Sequence, residues 1–438
     1  MSHETTSQTH QTETAAHLTA TATEAFRLGF NTYLWGYPLV LMHRTRNALI
    51  DPGRTRPGTV NTLRVVPRLL TDRDRDVVKP NNDTIYVTGW LELSDGPVSL
   101  SVPAVSRYYG LQLLDAYTDT WGYVGTRATG SEAGEYMIAG PDWSGDVPEG
   151  TTLLSSPTNT VWLLGRIVVQ GPDDLDTARA IGESFRLTGP TVDVSGPSPA
   201  PSPHTVKDAG IEFFDELGAA LEGNVLSADN EQLSRMAEAG IGTGKTPSRE
   251  ITDPAVRAAL DASVAAAHSC IAASERGLSS GGGDWTYELN LGRYDGDHLL
   301  RSVVGLNALG ALTAEEATYA NAGCDVDGER FDGGNSYVLR FEADDLPPVD
   351  AFWSLAMYDE DDFLVSNSID RFAIGDRTPG VEYGDDGSLE IVISHERPGS
   401  TSNWLPAPEG PFQLTLRLYI PKSTVLDGTY VVPSVRRL

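Results

Sequence analysis

"TIYVTGWLELSDGPVSLSVP", residues 84–103, decides the fold class. Ile85, Val87, Leu91 and Leu93 fall at every second position, and Asp95, Gly96 and Pro97 break the run before Val98, Leu100 and Val102 resume it. Alternation with period two, interrupted by turn residues, is the pattern of half-buried antiparallel strands. The pattern continues outward in "YYGLQLLDAY" (108–117), "GEYMIAG" (134–140) and "VWLLGRIVV" (161–169). These runs predict a β domain of five or more strands. Upstream, Phe26, Phe30, Tyr33, Tyr37, Val40 and Leu41 recur at threes and fours, which predicts an amphipathic helix to about Ile50.

Helical spacing returns at "DLDTARAIGESFRL" (174–187) and continues through residues 204–223, 227–240, 252–277 and 296–312. In the 252–277 segment Thr252 reads as N-cap, Pro254 sits in the first turn, and Gly277 closes the end. A Pro-Ser stretch over 195–203 reads as an extended surface loop. From about Asp325 the runs "SYVLRF", "AFWSLAMYD", "LEIVISHE" and "FQLTLRLYI" restore β character. The predicted architecture is α+β: two antiparallel β domains, barrel- or sandwich-like, joined by a helical layer. Its parts are a flexible, disordered polar tail (1–22), an N-terminal helix with the first β domain (23–172), helices (173–321) and a second β domain (322–438). No repeat recurs at a fixed short period.

The chain has 438 residues and a net charge of -29, with 61 acidic against 32 basic residues. Four of the basic residues are lysines, Lys79, Lys207, Lys245 and Lys422, so no basic footprint for nucleic acid or an anionic membrane exists. The acid excess is spread along the chain and reads as a solvated skin, suited to a salty cytoplasm. An arginine-biased coding habit accounts for it equally well. No apolar run reaches the roughly 20 residues of a membrane span, and the polar start lacks a signal core, so a cytoplasmic protein is expected. Cys270 and Cys324 make no disulfide framework or zinc motif.

"AGIGTGKT" (239–246) imitates a phosphate-binding loop, but helical sequence precedes it and Pro247 and Pro254 follow it. A phosphate loop needs a strand before it and a helix after it, so this stretch reads as a helix cap and turn. "GLSSG" (277–281) imitates a nucleophile elbow around Ser279, again without the strand. Asp325, Asp327 and Asp332 in "DVDGERFDGG" read as turn acids, since the terminal glutamate of a calcium hand is missing. His298 has no second histidine spaced to form a metal site. No cofactor and no metal are expected.

The polar residues inside the apolar runs carry the functional signal. Asn81, Asn82 and Asp83 precede a strand, and three such side chains exceed what one turn requires. Asp115, Tyr117, Arg127 and Arg166 interrupt strands that otherwise read as core. Arg166 lies between "WLLG" and "IVV", so it must meet a carboxylate or a ligand, with Asp83 and Asp115 as the expected partners. His395, at a strand end, is the best single acid–base histidine.

"PNNDTIYVTGWLELSDGPVSLSVP", "YYGLQLLDAYTDTWGYVGTRATG" and "WLLGRI" resemble the domain-of-unknown-function family numbered 1254. "FWSLAMYDEDDFLVSNSIDRFAIGDRTPG" and "SNWLPAPEGPFQLTLRLYIPKSTVLDGTY" resemble its usual partner, numbered 1214. The resemblance implies two β domains with helices between them. It also implies polar motif positions at Asn81, Asn82, Asp83, Tyr86, Asp115, Tyr117, Arg127 and Arg166, and at Trp353, Tyr358, Asn367, Arg371, Asp376, Asn403, Trp404 and Arg417. Many members carry export signals; the start of this chain does not, which argues against an envelope role.

Together these residues predict a polar, aromatic-lined pocket between the β domains. The leading expectation is a hydrolase-like enzyme acting on a small polar or anionic molecule. Asp83 or His395 would be its base, with Arg127 and Arg166 holding an anion. The alternative is a non-catalytic module whose aromatics stack on a sugar-like or planar ligand. Association of copies stays open.

Overall fold

The computed structural model describes residues 21–54, 58–75, 79–192, 198–274 and 284–438. The tail expected over residues 1–22 falls almost wholly outside these residues, and the Ser279 and Gly277 readings fall entirely outside them. The first β unit contains β1 (Arg64–Val65), β2 (Thr84–Glu92), β3 (Val98–Val102), β4 (Tyr109–Leu114) and β5 (Thr120–Gly125), then β6 (Gly134–Ala139), β7 (Thr151–Ser155), β8 (Thr160–Val168) and β9 (Arg186–Thr188). The second contains β10 (Thr286–Tyr287), β11 (Ala317–Ala322), β12 (Tyr337–Phe341), β13 (Val349–Asp359) and β14 (Ala373–Gly375). It is completed by β15 (Leu389–Ser394), β16 (Trp404–Pro406), β17 (Phe412–Pro421) and β18 (Arg436–Arg437). It therefore opens ahead of residue 322.

Each unit is a sandwich, with no closed barrel. In the first, a five-stranded sheet β1-β2-β8-β4-β5 faces a four-stranded sheet β7-β6-β3-β9. Ile85, Val87, Leu111, Leu163 and Ile167 from one sheet and Val98, Leu100 and Ile138 from the other share one core. The strands are antiparallel, as the alternation predicts, except that β6 and β7 pair in parallel. In the second unit the sheets are β10-β11-β17-β13-β14 and β16-β15-β12-β18, with β15 and β16 parallel.

The two strand orders coincide when nine is added to each number in the first unit. One topology thus occurs twice in the chain, at a spacing far longer than any short sequence repeat. Local detail repeats as well. Gly125 closes β5 opposite Gly110, and Gly375 closes β14 opposite Ser354. A Cβ on Gly125 would lie 2.4 Å from the Tyr109 carbonyl oxygen, and one on Gly375 would lie 2.2 Å from that of Trp353. Gly125→Ala and Gly375→Ala are therefore each expected to cost about 1–3 kcal/mol, measured by urea denaturation. A neutral result at either position would mean that the strand ends can open freely.

The helical layer comprises α1 (Ser2–Ile50, described from Thr21 onward), α2 (Leu175–Ser184), α3 (Glu212–Ala220), α4 (Asn230–Glu238), α5 (Pro247–Glu250), α6 (Pro254–Ser274) and α7 (His298–Ala308). The predicted apolar stripe of α1 is buried from Tyr33 onward, where Tyr33, Tyr37 and Val40 pack with Phe213, Leu217, Leu260 and Val264 in one core, while Phe30 is half-buried and Phe26 is exposed. α1 and α6 cross closely, since a Cβ on Gly29 would reach 2.3 Å from Ser263 Oγ. The cap of α6 is Asp253 and not Thr252: its Oδ1 accepts the Ala255 amide at 2.8 Å. The glycine-rich stretch is a turn between α4 and the four-residue α5, with Gly240 and Gly244 at positive φ. Gly242 and Lys245 there lie against Gly218 of α3.

Candidate functional site

The outer faces of the two five-stranded sheets meet, and each carries the same row of residues. In the first sheet Arg166, on the central strand β8, stands opposite Tyr86 on β2 and Gly110 on β4. In the second, Arg417 on the central strand β17 stands opposite Tyr319 on β11 and Ser354 on β13. The smallness of the neighbour matters. A Cβ on Gly110 would come 2.7 Å from Glu316 Oε1, which belongs to the other unit.

The ion pairs across this interface are reciprocal. Asp83 precedes β2 and Glu316 precedes β11, while Arg127 follows β5 and Arg377 follows β14. Arg377 Nη2 donates to Asp83 Oδ1 at 3.0 Å, and Arg127 Nε donates to Glu316 Oε2 at 2.6 Å. The remaining oxygens accept from hydroxyls, Asp83 Oδ2 from Ser354 at 2.6 Å and Glu316 Oε1 from Tyr108 at 2.8 Å. Between the pairs, Tyr108 meets Phe352 edge to face at 5.5 Å, and Phe352 stacks on Tyr419 at 4.1 Å. Such mutual exchange is what a two-fold arrangement of like units produces.

The row arginines are held differently. Arg166 Nη1 donates to Gln112 Oε1 at 3.1 Å, Nη2 donates to the Gly310 carbonyl at 2.9 Å, and Cζ lies 5.5 Å from the centre of the Tyr86 ring. Arg417 Nη2 donates to the Lys79 carbonyl at 3.0 Å and to the Tyr358 hydroxyl, and its buried Nη1 has no hydrogen-bond partner among the described residues. Each guanidinium thus grips the segment that leads into the other unit's first long strand. Arg166 is 7% and Arg417 3% exposed. Among the described residues, neither pairs with a carboxylate.

The phenols around them do not supply the missing charge. Burial pushes Tyr358 up to about 12 and Tyr419 well above its ordinary range, so both stay neutral. Tyr319 and Tyr419 lie within electrostatic range of both arginines. Tyr86 and Tyr319 are half-buried. A cleft of about 240 Å3 opens on the same interface beside Tyr108, Val168, Phe352 and Arg377. Its two cations are already matched, Arg107 by Asp174 and Arg377 by Asp83.

Several expectations need correction. Arg166 meets neither Asp83 nor Asp115. Asp83 belongs to Arg377, and Asn81 beside it bonds the Tyr419 hydroxyl at 2.5 Å. Arg127 is matched by Glu316 and is not free for an anion. His395 is exposed on β15's sheet, its Nδ1 on the Ala407 carbonyl at 3.1 Å, so it does not join Asp83. Asn82 ties the Leu70 carbonyl, and Arg371 ties the carbonyls of Thr401, Ser402 and Trp404. Asn367 and Asn403 bridge local backbone, Trp353 and Trp404 are core, and Asp376 sits 3.5 Å from Arg377. Tyr108, Gln112, Glu316, Tyr319, Ser354, Arg377 and Tyr419 complete the interface and were not singled out from sequence. The shared "GTRATG" and "GDRTPG", which hold Arg127 and Arg377, are the signal that could have found Arg377.

Asp115 and Tyr117 form a separate cluster under the helices. Asp115 Oδ1 accepts the amides of Tyr117 and Asp119, and Tyr117 packs on Trp35 at 5.5 Å. Burial, with the charge of Asp119 added, pushes the Asp115 carboxyl up to about 7. A folded value above the unfolded value of about 3.9 means that the native state binds the extra proton, so this group favours folding more as pH falls from 7 towards 4. Asp115→Asn keeps the accepting oxygen and is expected to flatten that part of the stability curve. Urea denaturation at acid and neutral pH measures it, and an unchanged slope would assign the pH dependence elsewhere.

Two like sandwiches meeting face to face, with reciprocal ion pairs and a pair of buried arginines, define a two-unit α+β protein with a polar interdomain core. The chain carries the paired families described as "Protein of unknown function (DUF1254)", over residues 60–189, and DUF1214, of the same description, over residues 316–423. The fold is similar to the crystal structure of the VPA0106 protein from Vibrio parahaemolyticus, with TM-score 0.72, 23% identity, and coverage of 94% of this chain and 100% of that one. A putative uncharacterized protein from Burkholderia cenocepacia aligns over 99% of this chain and 98% of its own, at TM-score 0.45 and 12% identity. No curated protein matches significantly. No helix among the described residues is long and apolar enough to cross a membrane.

Proposed function

We propose that the protein binds a small anionic molecule between its two β units, with Arg166 and Arg417 as the countercharges. One observation carries this reading: two buried guanidinium groups that, among the described residues, form no ion pair with a carboxylate, in a chain of net charge -29. Burying an ion costs several kcal/mol unless an opposite charge compensates it, and carbonyl or phenol dipoles offset only part of that cost. Acidic residues are abundant here, yet Asp83 and Glu316 at this interface are given to Arg377 and Arg127. An incoming anion supplies the missing charge through charge-assisted hydrogen bonds.

The geometry favours a binding protein over a hydrolase. Asp83 has one oxygen on Arg377 and the other on Ser354, which leaves it poorly placed to take a proton from water. His395 lies on another sheet. Thermal denaturation against phosphate, sulfate and carboxylates, at matched ionic strength, tests the reading. At ten times the dissociation constant a ligand adds about 1.4 kcal/mol, a rise in Tm of about 1–2 °C for a chain of this size. If no anion raises Tm beyond a chloride control, the proposal falls.

A further inference from the structure

The doubling of the arginine row says more about the ligand than its sign. We infer that the site takes a short dicarboxylate, one carboxylate on Arg166 and the other on Arg417; this rests on the anion-binding reading above. The two guanidinium groups occupy the same place in two copies of one topology: the central strand of the five-stranded sheet, beside a tyrosine on one side and a glycine or serine on the other. Each is oriented by a backbone carbonyl from the opposite unit, Gly310 for Arg166 and Lys79 for Arg417. Neither orienting bond brings negative charge; Asp83 lies within electrostatic range of Arg417, but its two oxygens are taken by Arg377 and Ser354, so neither arginine has a carboxylate in direct contact among the described residues.

A single monoanion can compensate one of these cations. Two compensating charges linked in one molecule meet both, and binding the second is then intramolecular. The tyrosines fit the same ligand. Tyr319 lies within electrostatic range of both arginines, and Tyr86 lies under Arg166. Both are half-buried, and burial holds the Tyr319 phenol above its ordinary range, so its hydroxyl can donate to a carboxylate oxygen that the guanidinium leaves free. Among the described residues Arg417 Nη1 is buried and without a hydrogen-bond partner, a donor still to be met. The asymmetry is small but real: Gln112 occupies one donor of Arg166, whereas Tyr358 flanks Arg417. The two ends of the ligand are therefore not interchangeable.

Calorimetric titration of the full chain with malonate, succinate and glutarate, against acetate, propionate and inorganic phosphate at constant ionic strength, tests this. One dicarboxylate is expected to bind at least ~10-fold more tightly than either monocarboxylate. Arg166→Lys and Arg417→Lys, which keep the charge but lose the fork, are each expected to reduce that preference, and Tyr319→Phe to weaken it without unfolding. If monocarboxylates or phosphate bind as tightly as every dicarboxylate, the dicarboxylate assignment is overturned while anion binding stands. If none of the six anions binds the unaltered protein, both fall. The selectivity series needs no variant, so a substitution that fails to fold leaves the test intact.

Discussion

Asp83→Ala is expected to destabilise the protein by about 3–5 kcal/mol, the usual cost of removing one partner of a buried ion pair. The side chain of Asp83 is 7% exposed and that of Arg377 is 18% exposed, so solvent can rescue the stranded guanidinium only in part. The Ser354 hydroxyl loses its acceptor at the same time. Because the opposite contact is built the same way, Glu316→Ala is expected to cost a similar amount by stranding Arg127 and Tyr108. Adding Arg377→Met to Asp83→Ala should recover much of the loss, since the unmatched charge goes with it. Urea denaturation of the unaltered protein, Asp83→Ala, Arg377→Met and the double variant gives the coupling directly. Losses below about 1 kcal/mol would show the pairs to be screened like surface bridges.

Arg166→Met should behave in the opposite way. It removes a buried charge that no carboxylate matches, against the loss of the bonds to Gln112 and Gly310. The two terms oppose each other, so the net change in stability is expected to stay within about 2 kcal/mol. Anion-induced stabilisation should nevertheless vanish. Arg417→Met should do the same, with the Lys79 carbonyl and Tyr358 hydroxyl released. Tm with and without the best anion separates the two effects. A loss above about 4 kcal/mol that no anion relieves would make the arginine an interdomain strut.

The elements were legible where period and punctuation agree. Residues 84–92 became β2, and of the helically spaced Val256, Leu260, Val264, Ala267 and Ile271 in segment 252–277, all but the half-buried Val256 became the buried face of α6. The turn in "AGIGTGKT" followed from its neighbours. The partners of the buried arginines were not legible, because they depend on which faces meet. Asp83 lies three residues along from Tyr86, the residue opposite Arg166, and that is roughly 10 Å of extended chain. An acid so displaced reaches across to the other unit instead. The duplication was hidden for a related reason: it survives in strand order and register, while residues at matching places have diverged. Val168 and Tyr419 both lie two positions beyond the row arginine, yet one is aliphatic and the other a phenol bonded to Asn81. The pair Arg127 and Arg377 kept its identity because each cation has an acid to meet.

That reciprocity has a consequence for how such a chain can change. In a dimer of identical subunits every substitution is made twice, and a site on the symmetry axis stays symmetric. Two copies on one polypeptide are released from that rule, and each residue can mutate alone. Gly110 against Ser354, and Tyr108 against Phe352, are differences that no homodimer could hold. With such freedom one copy can specialise in gripping a ligand's head while the other adapts to its tail.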